Sequence, residues 1–532
     1  MQEWGFSSTE GRECEWRVIL ASLAGESACP TSTLQSACMF RKVLVANRGE
    51  IAVRVVRALR ELDIVSVAVF SDVDRAAQHV RLADEAERVE SYLDIDSILE
   101  VAKKHEAEAI HPGYGFLSEN AGFAAACEKA GVVFIGPSAD SIRRLGSKTA
   151  ARILAKQMNV PVVPGSEEPA TNLEHARELA RKLGYPVLLK AAAGGGGKGM
   201  RRVDAESELE AAIRDASSEA ERAFHSNEVY IEKVIEQPRH IEIQIAGDIH
   251  GNLVHLGERE CSVQRRHQKI IEECPSHLIA ATHPEMRAEM GEAALRIARA
   301  VGYHNLGTVE FLADGKGNFY FLEVNTRLQV EHPVTELVTG LDLVHLQLKI
   351  ANGESIPFAQ EDVKWRGWAM ECRVCAEDPE QNFFPSPGKI LQLREPAGPG
   401  VRLDSGVYAG WTVPLEYDPL LAKLVVWAPD RLGAIRRMLR ALEEYSIVGV
   451  ETNLEFFREI LNDAQFRDGD LDTGFIADFF ARRKPAPEPS PELELVAALA
   501  AAAHSRNEKL DAKNGKQETS HWLSEGRSEM LR

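Results

Sequence analysis

Residues 308–325 read Thr-Val-Glu-Phe-Leu-Ala-Asp-Gly-Lys-Gly-Asn-Phe-Tyr-Phe-Leu-Glu-Val-Asn. Two apolar-rich runs flank Asp314-Gly-Lys-Gly-Asn318, a composition that makes a hairpin turn. A hairpin centred between Lys316 and Gly317 sets Glu310 opposite Glu323. Cβ atoms of such a pair stand roughly 5 Å apart, where like charges repel. A divalent cation turns that repulsion into coordination. Asn325 lies two residues on, along the same face. Two carboxylates, an amide oxygen and phosphate oxygens suit an octahedral Mg2+ (or Mn2+). Val309, Phe311, Leu322 and Val324 are expected on the opposite face, packed into a core, which argues against two glutamates that simply face water.

The run continues through Arg327, Gln329, Val330 and Glu331 to His332-Pro333. If it stays extended, Asn325, Arg327, Gln329 and Glu331 share the side of the carboxylate pair. An Arg there can fork-bind a small oxyanion, and a Glu beside it can take that anion's proton. A second feature is Gly194-Gly-Gly-Gly-Lys-Gly199, five glycines in six residues. Its letters fit a dinucleotide fingerprint, but that motif opens a helix. Here Met200–Val203 reads as a strand, and no Ser or Thr follows the lysine as in a Walker A loop. A strand–loop–strand flap whose bare amides close over phosphates is what remains. Lys190 enters the loop, and Lys148 lies on the helix before it. A third feature, Gln264-Arg-Arg-His-Gln-Lys269, lacks the aromatic interleaving of an RNA surface and reads as a small anion site, with His240 on an adjacent strand.

From Arg41 onward strands and helices alternate: strand Lys42–Ala46, helix Glu50–Leu62, strand Ile64–Phe70, helix Ile98–His105, strand Ala109–His111, helix Ala121–Ala130, strand Val132–Ile135. That order predicts a doubly wound parallel sheet. A helix is expected at Gly146–Met158, strands through Val229–Leu256, and a β-rich module over 368–430. Lys484–Pro491 has linker composition, followed by an Ala-rich helix at Glu492–His504 and a polar tail expected to be disordered. Residues 1–38 show no periodicity and are expected to be a disordered or non-native extension. With 27% charged residues and a net charge of −19, the chain is a poor candidate for nucleic-acid or membrane-surface binding. Eight cysteines in 532 residues make no disulfide framework, which fits a reducing cytoplasm.

Residues 39 to about 481 resemble the biotin carboxylase component of acyl-CoA, pyruvate and related carboxylases. The resemblance rests on Val45-Ala-Asn-Arg-Gly-Glu-Ile-Ala, His111-Pro-Gly-Tyr-Gly-Phe-Leu-Ser-Glu-Asn, the glycine loop, Glu260–Lys269, Asn325-Thr-Arg-Leu-Gln-Val-Glu-His-Pro-Val-Thr-Glu336 and Glu371-Cys-Arg373. It implies an α/β and α+β chain: an N-terminal doubly wound domain over 39–148, an ATP-grasp domain over 149–355 with a mobile lid at about 170–235, a β-rich C-terminal domain over 356–484, and a linker, helix and tail over 485–532.

The same resemblance implies roles. Lys148, Lys190, His240 and Lys269 would hold ATP phosphates under the flap residues Gly196, Gly197 and Met200. Glu232, Lys233 and Ile235 would line the adenine pocket. Glu310 and Glu323, with Asn325 beside them, would bind the metal. Arg327, Gln329 and Val330 would grip bicarbonate, and Glu331 would deprotonate it. Arg373 would stabilise the biotin enolate, with Gln264 and His267 completing that corner. No Met-Lys dipeptide occurs, so biotin is expected on a separate carrier protein, with a separate carboxyltransferase subunit. The helix carrying Arg54, Arg57 and Glu61 suggests a homodimer. Another ATP-grasp ligase or a pyruvate-carboxylase-type subunit is the alternative, and the acyl acceptor is not written in this chain.

Overall fold

The computed structural model describes residues 39–483 apart from 167, 171, 192–200, 225–228 and 267, together with 495, 496, 498, 499 and 502. The first sheet is made of β1 (Lys42–Val45), β2 (Val65–Phe70), β3 (Glu85–Arg88), β4 (Ala109–His111) and β5 (Val133–Phe134) in the order β3-β2-β1-β4-β5. Every pairing in it is parallel. Alternation along β1 explains why both faces are covered: Val43 and Val45 join one core with Val55, Val56 and Leu59, while Leu44 joins another with Ile98, Val101 and Phe123. Helix α1 (Gly49–Glu61) supplies the first of these cores. Strand β3 has no signature in the sequence, because Glu-Ala-Glu-Arg carries no apolar alternation; it is an edge strand, where charge is tolerated.

The helix expected at 146–158 is present as α2 (Lys148–Gln157), and a separate helix, Ala139–Gly146, precedes it. The Ser147 hydroxyl between them accepts from the Ala150 amide at 3.3 Å, capping α2 and placing Lys148 at its first position. Next come β6 (Val187–Ala191), β7 (Arg201–Val203) and β8 (Val229–Lys233), antiparallel in the order β7-β6-β8. Leu189 pairs with Arg201, so the glycine-rich segment does connect two neighbouring antiparallel strands.

The largest sheet has eight strands: β9 (Arg239–Gly247), β10 (Leu253–Arg265), β11 (Gln268–Cys274), β12 (Asn305–Ala313), β13 (Phe319–Asn325), β14 (Trp368–Cys375), β15 (Val401–Ser405) and β16 (Leu420–Ala428), in the order β13-β12-β9-β10-β11-β14-β16-β15. Three strands of the β-rich stretch therefore extend the same sheet. Along β9, Ile241, Ile243 and Ile245 are fully buried against the helix Met286–Ala300, in a core with Val309, Phe311 and Val324. The alternate residues His240, Glu242 and Gln244 face the other way and are also buried. Burial of a polar face on this scale requires partners for every charge.

The hairpin has the register its turn predicts: Glu310 stands opposite Glu323. A bulge intervenes next to this pair, so that Phe311 meets Phe321 rather than Leu322. Phe321 takes the core position expected for Leu322, which is only half-buried. The following run does not stay extended. It turns after Asn325 and enters helix α3 (His332–Thr339), with Pro333 in its first turn.

Residues 476–532 form a second unit. Within the expected 492–504 helix, the described residues Leu495, Val496, Ala498, Leu499 and Ala502 are helical and exposed. The segments 1–38, 484–491 and 503–532 lie outside the described residues. No helix among the described residues is long and apolar enough to cross a membrane.

Candidate active site

The register of the large sheet stacks Glu242, Glu310 and Glu323 in one row, since Glu310 pairs with Glu242 on one side and Glu323 on the other. Three carboxylates in a row are stable only if cations meet them. Arg259, opposite Glu242 on β10, donates to it at 2.5 Å and also to Gln244, Thr308 and Thr335. The Lys269 ammonium reaches Glu242 at 2.5 Å, Glu310 at 2.8 Å and Glu331 at 2.7 Å. His240 approaches the second oxygen of Glu310 at 2.9 Å, and Lys148 reaches Glu323 at 2.7 Å from the start of α2.

The turn after β13 folds over this row. Asn325 donates to Glu310 at 2.8 Å, and Gln329 donates to the same Glu310 oxygen at 3.3 Å. Arg327 donates to Gln329, Asn325 and Glu119 at 2.7, 3.2 and 3.0 Å. Asn325, Arg327 and Gln329 therefore cluster as expected, although through a turn and not a strand. Glu331, fully buried, accepts from Lys269 and, at 2.8 Å, from Arg373. Arg373 also donates to Glu272 at 2.6 Å. Gln264 bonds the ring of His240 at 2.7 Å.

Burial alone would raise the pKa values of Glu310 and Glu331. Lys269 and His240 for the first, and Lys269, Arg373 and Arg259 for the second, outweigh it and hold both carboxyls well below the usual range. Burial likewise disfavours the Lys269 charge, yet Glu242, Glu310 and Glu331 push it well above an ordinary lysine. Glu272 behaves differently: its burial outweighs Arg373 and pushes it up to about 7.

A second cluster sits on β6 and β8. Glu232 takes Lys190 at 2.5 Å and also pairs with Arg152, whose other nitrogen bonds the Val163 carbonyl at 2.6 Å. The Lys233 ammonium caps the carbonyls of Gly184 and Tyr185, and Ile235 is half-buried just beyond the strand. Gly196, Gly197, Met200 and His267 lie outside the described residues.

The basic run 264–269 does not act as one patch. A tight turn at Arg266, which has φ +50°, divides it. Arg265 turns away to Glu377 at 3.2 Å and stacks over Phe383, and Arg266 is exposed, so only Gln264 and Lys269 of the described residues in this run reach the site. Sequence reasoning also passed over Glu242, Arg259, Glu119, Glu272 and Arg152. For Glu242 a signal was present in the alternation of Arg239-His-Ile-Glu-Ile-Gln-Ile, which puts it on the face of His240. The other four act through partners distant in sequence.

The donor set fits a hard divalent cation. Glu310 and Glu323 offer carboxylate oxygens from directly paired positions, and Asn325 contributes an amide from the same edge. Both carboxylates are met here by ammonium groups, which shows that the row demands positive charge.

The chain matches the family description "Biotin carboxylase, N-terminal domain" over residues 39–142, "Carbamoyl-phosphate synthase L chain, ATP binding domain" over 147–359, and "Biotin carboxylase C-terminal domain" over 371–478. Biotin carboxylase 1 of Bacillus subtilis is 50% identical over 448 residues, covering 83% of this chain and 99% of that protein. A pyruvate carboxylase subunit from Methanothermobacter thermautotrophicus is 52% identical over 447 residues, covering 83% and 90%. Among solved structures, the biotin carboxylase domain dimer of Hydrogenobacter thermophilus 2-oxoglutarate carboxylase, in complex with MgADP, ADP and bicarbonate, is 46% identical with a TM-score of 0.79, covering 85% of this chain and 100% of that one. A biotin carboxylase–beta-gamma-ATP complex from Campylobacter jejuni is 45% identical with a TM-score of 0.78, covering 82% and 99%. With its three matched segments and its paired-carboxylate site, the chain belongs to the biotin carboxylase family, ATP-dependent ligases that carboxylate biotin.

Proposed function

We propose that this chain carboxylates biotin on a separate carrier protein, using ATP and bicarbonate, as the first half-reaction of an acetyl-CoA or acyl-CoA carboxylase. The observation that carries the reading is the buried Glu331 carboxylate, held between Lys269 and Arg373 and kept ionised by them. An ionised, immobilised carboxylate is what a general base for bicarbonate requires.

Glu331 takes the bicarbonate proton, and the freed oxygen attacks the γ-phosphorus of ATP as ADP leaves. The carboxyphosphate so formed breaks its C–O bond to give CO2 and phosphate. Phosphate takes the N–H proton of biotin, and the ureido nitrogen attacks CO2. Arg373 stabilises the enolate oxygen, while Arg327, Gln329 and Val330 position bicarbonate. Lys148, Lys190, His240 and Lys269 position the phosphates, under a flap containing Gly196, Gly197 and Met200, with Gln264 and His267 at the biotin corner. Glu232, Lys233 and Ile235 hold the adenine end. Glu310 and Glu323, with Asn325 beside them, would hold Mg2+ (or Mn2+), which when bound neutralises phosphate charge. The protein's own contribution is position and positive charge, and a closed flap keeps water from the labile intermediate.

The segment limits 39–148, 149–355 and 356–484 are part of this proposal, as are a carrier protein, a carboxyltransferase partner and a cytoplasmic location. A homodimer is supported by the dimeric Hydrogenobacter domain. Arg54 is buried on Glu336 and Asp342 of its own chain. The similarity to a pyruvate carboxylase subunit favours a second reading in which the final acceptor is a keto acid. The test is ADP release with Mg2+ and bicarbonate, with and without free biotin, in the wild type, Glu331→Gln and Arg373→Ala. Biotin-stimulated release that disappears in Glu331→Gln supports the reading; stimulation by an amine instead of biotin refutes it.

A further inference from the structure

Lys423 is fully buried in the middle of β16, an expensive place for an ammonium group. It stands directly opposite Arg373 on β14 and Asp404 on β15. Two cations opposed across neighbouring strands repel unless each has its own anions. Arg373 takes Glu272 and Glu331, whereas Lys423 takes Glu50 at 3.2 Å and Asp404 at 3.8 Å and lies 5.9 Å from the centre of the Tyr114 ring. Its hydrogen bond goes to the Val330 carbonyl, at 2.9 Å.

That carbonyl belongs to the planar peptide unit joining Val330 to Glu331. Lys423 thus holds the peptide from one side, while Lys269 and Arg373 hold the Glu331 carboxylate from the other. Its three anchors come from separate parts of the chain: the first turn of α1, the turn before α3, and the strand pair β15–β16. Neither Glu50 nor Asp404 depends on Lys423 alone. Glu50 accepts from the Tyr114 hydroxyl, and Asp404 accepts two hydrogen bonds from Arg402, at 2.9 and 2.8 Å. A lysine kept in such surroundings does more than balance charge.

We propose that Lys423 is a positioning residue for bicarbonate, fixing the Val330–Glu331 peptide so that the general base and the anion meet in one geometry. The inference rests on the reaction proposed above, with Glu331 as base. It concerns bicarbonate alone, because the phosphate-directed lysines do not touch Val330 in this structure.

The experiment measures KM for bicarbonate and for ATP by ADP release in the full-length protein, with melting temperature as a fold control, in Lys423→Gln and Lys423→Arg. Loss of a hydrogen bond from a charged donor predicts about a ten-fold rise in bicarbonate KM for Gln, with ATP KM unchanged. Arg keeps the charge but not the compact head, so an intermediate rise of about three-fold is expected. If the Gln variant does not fold, the Arg variant still reads the same split. Unchanged bicarbonate KM in a folded variant, or a parallel rise in both constants, overturns the proposal. Wild-type and Glu331→Gln controls separate this from the broader reading: if biotin-stimulated turnover is absent in the wild type, the reaction assignment falls first.

Discussion

Lys269→Met removes the one ammonium that three buried carboxylates share. Their side chains are 0%, 5% and 1% exposed for Glu242, Glu310 and Glu331. Each keeps a second partner: Arg259 for Glu242, His240 for Glu310 and Arg373 for Glu331. The loss therefore belongs at the lower end of the cost of breaking a buried ion pair, about 3 kcal/mol near neutral pH. It also has a sign in pH. In the wild type the Glu310 and Glu331 carboxyls are depressed, so they contribute stability above the unfolded value of about 4.3, and that contribution fades as pH falls. Without Lys269, burial dominates, and the folded pKa values move above the unfolded value. The variant then loses stability as pH rises through its own folded values. The melting-temperature gap between wild type and Lys269→Met should widen steadily from about pH 5 to about pH 8. Thermal unfolding followed by circular dichroism in a series of buffers at fixed ionic strength measures it. A gap that stays constant or narrows with rising pH would refute the shared-cation account of this site.

Glu331→Gln should lower bicarbonate-dependent ADP release by about 10²- to 10⁴-fold. Its melting temperature should fall modestly at neutral pH and approach that of the wild type at low pH, because the depressed Glu331 carboxyl contributes stability above its unfolded value, while Lys269 keeps Glu242 and Glu310, and Arg373 keeps Glu272. Arg373→Met should abolish the biotin-stimulated part of ADP release, by about 10²- to 10³-fold, while biotin-independent turnover persists; comparing the two rates checks it. Glu272→Gln addresses a carboxyl raised to about 7, whose folded value exceeds its unfolded one. Such a group stabilises at low pH, and its contribution is lost as pH rises through 4.5 to 7, so the variant should gain melting temperature over the wild type progressively across that window.

Much of the fold is legible where composition and periodicity act locally. The turn Asp314–Asn318 sets the hairpin, and with it the Glu310–Glu323 pairing. The bulge is not legible, because one extra residue leaves the alternation letters unchanged while moving Phe321 into the core place of Leu322. The turn into α3 is hidden for a related reason: Pro333 is compatible both with extended chain and with the first turn of a helix. The site residues nevertheless assemble, because Arg327 and Gln329 are long enough to reach Asn325 and Glu310 from a turn. The basic run is the larger discrepancy. Its charges cluster in sequence but not in space, because alternation across a tight turn sends Arg265 and Lys269 to different partners.

What escapes the sequence is mostly the set of carboxylates that pair with the site's cations, in keeping with a chain of net charge −19. Among the described candidates, Lys148, Lys190, Lys269, Arg327 and Arg373 each touch a glutamate: Glu323, Glu232, the trio on Lys269, Glu119 and the Glu272–Glu331 pair. A lone lysine head explores many rotamers, and fixing it when substrate arrives has an entropic cost. A carboxylate mounted on a strand holds that head before any anion arrives. The same carboxylates lower the net charge, so the site does not attract polyanions indiscriminately. On the proposed roles, an entering phosphate would compete with a glutamate for each cation, and a divalent ion held by Glu310 and Glu323 would shift that competition towards the phosphate. The pairing of acid with base around Glu331 is therefore a condition for discrimination and order at this site, more than a source of stability.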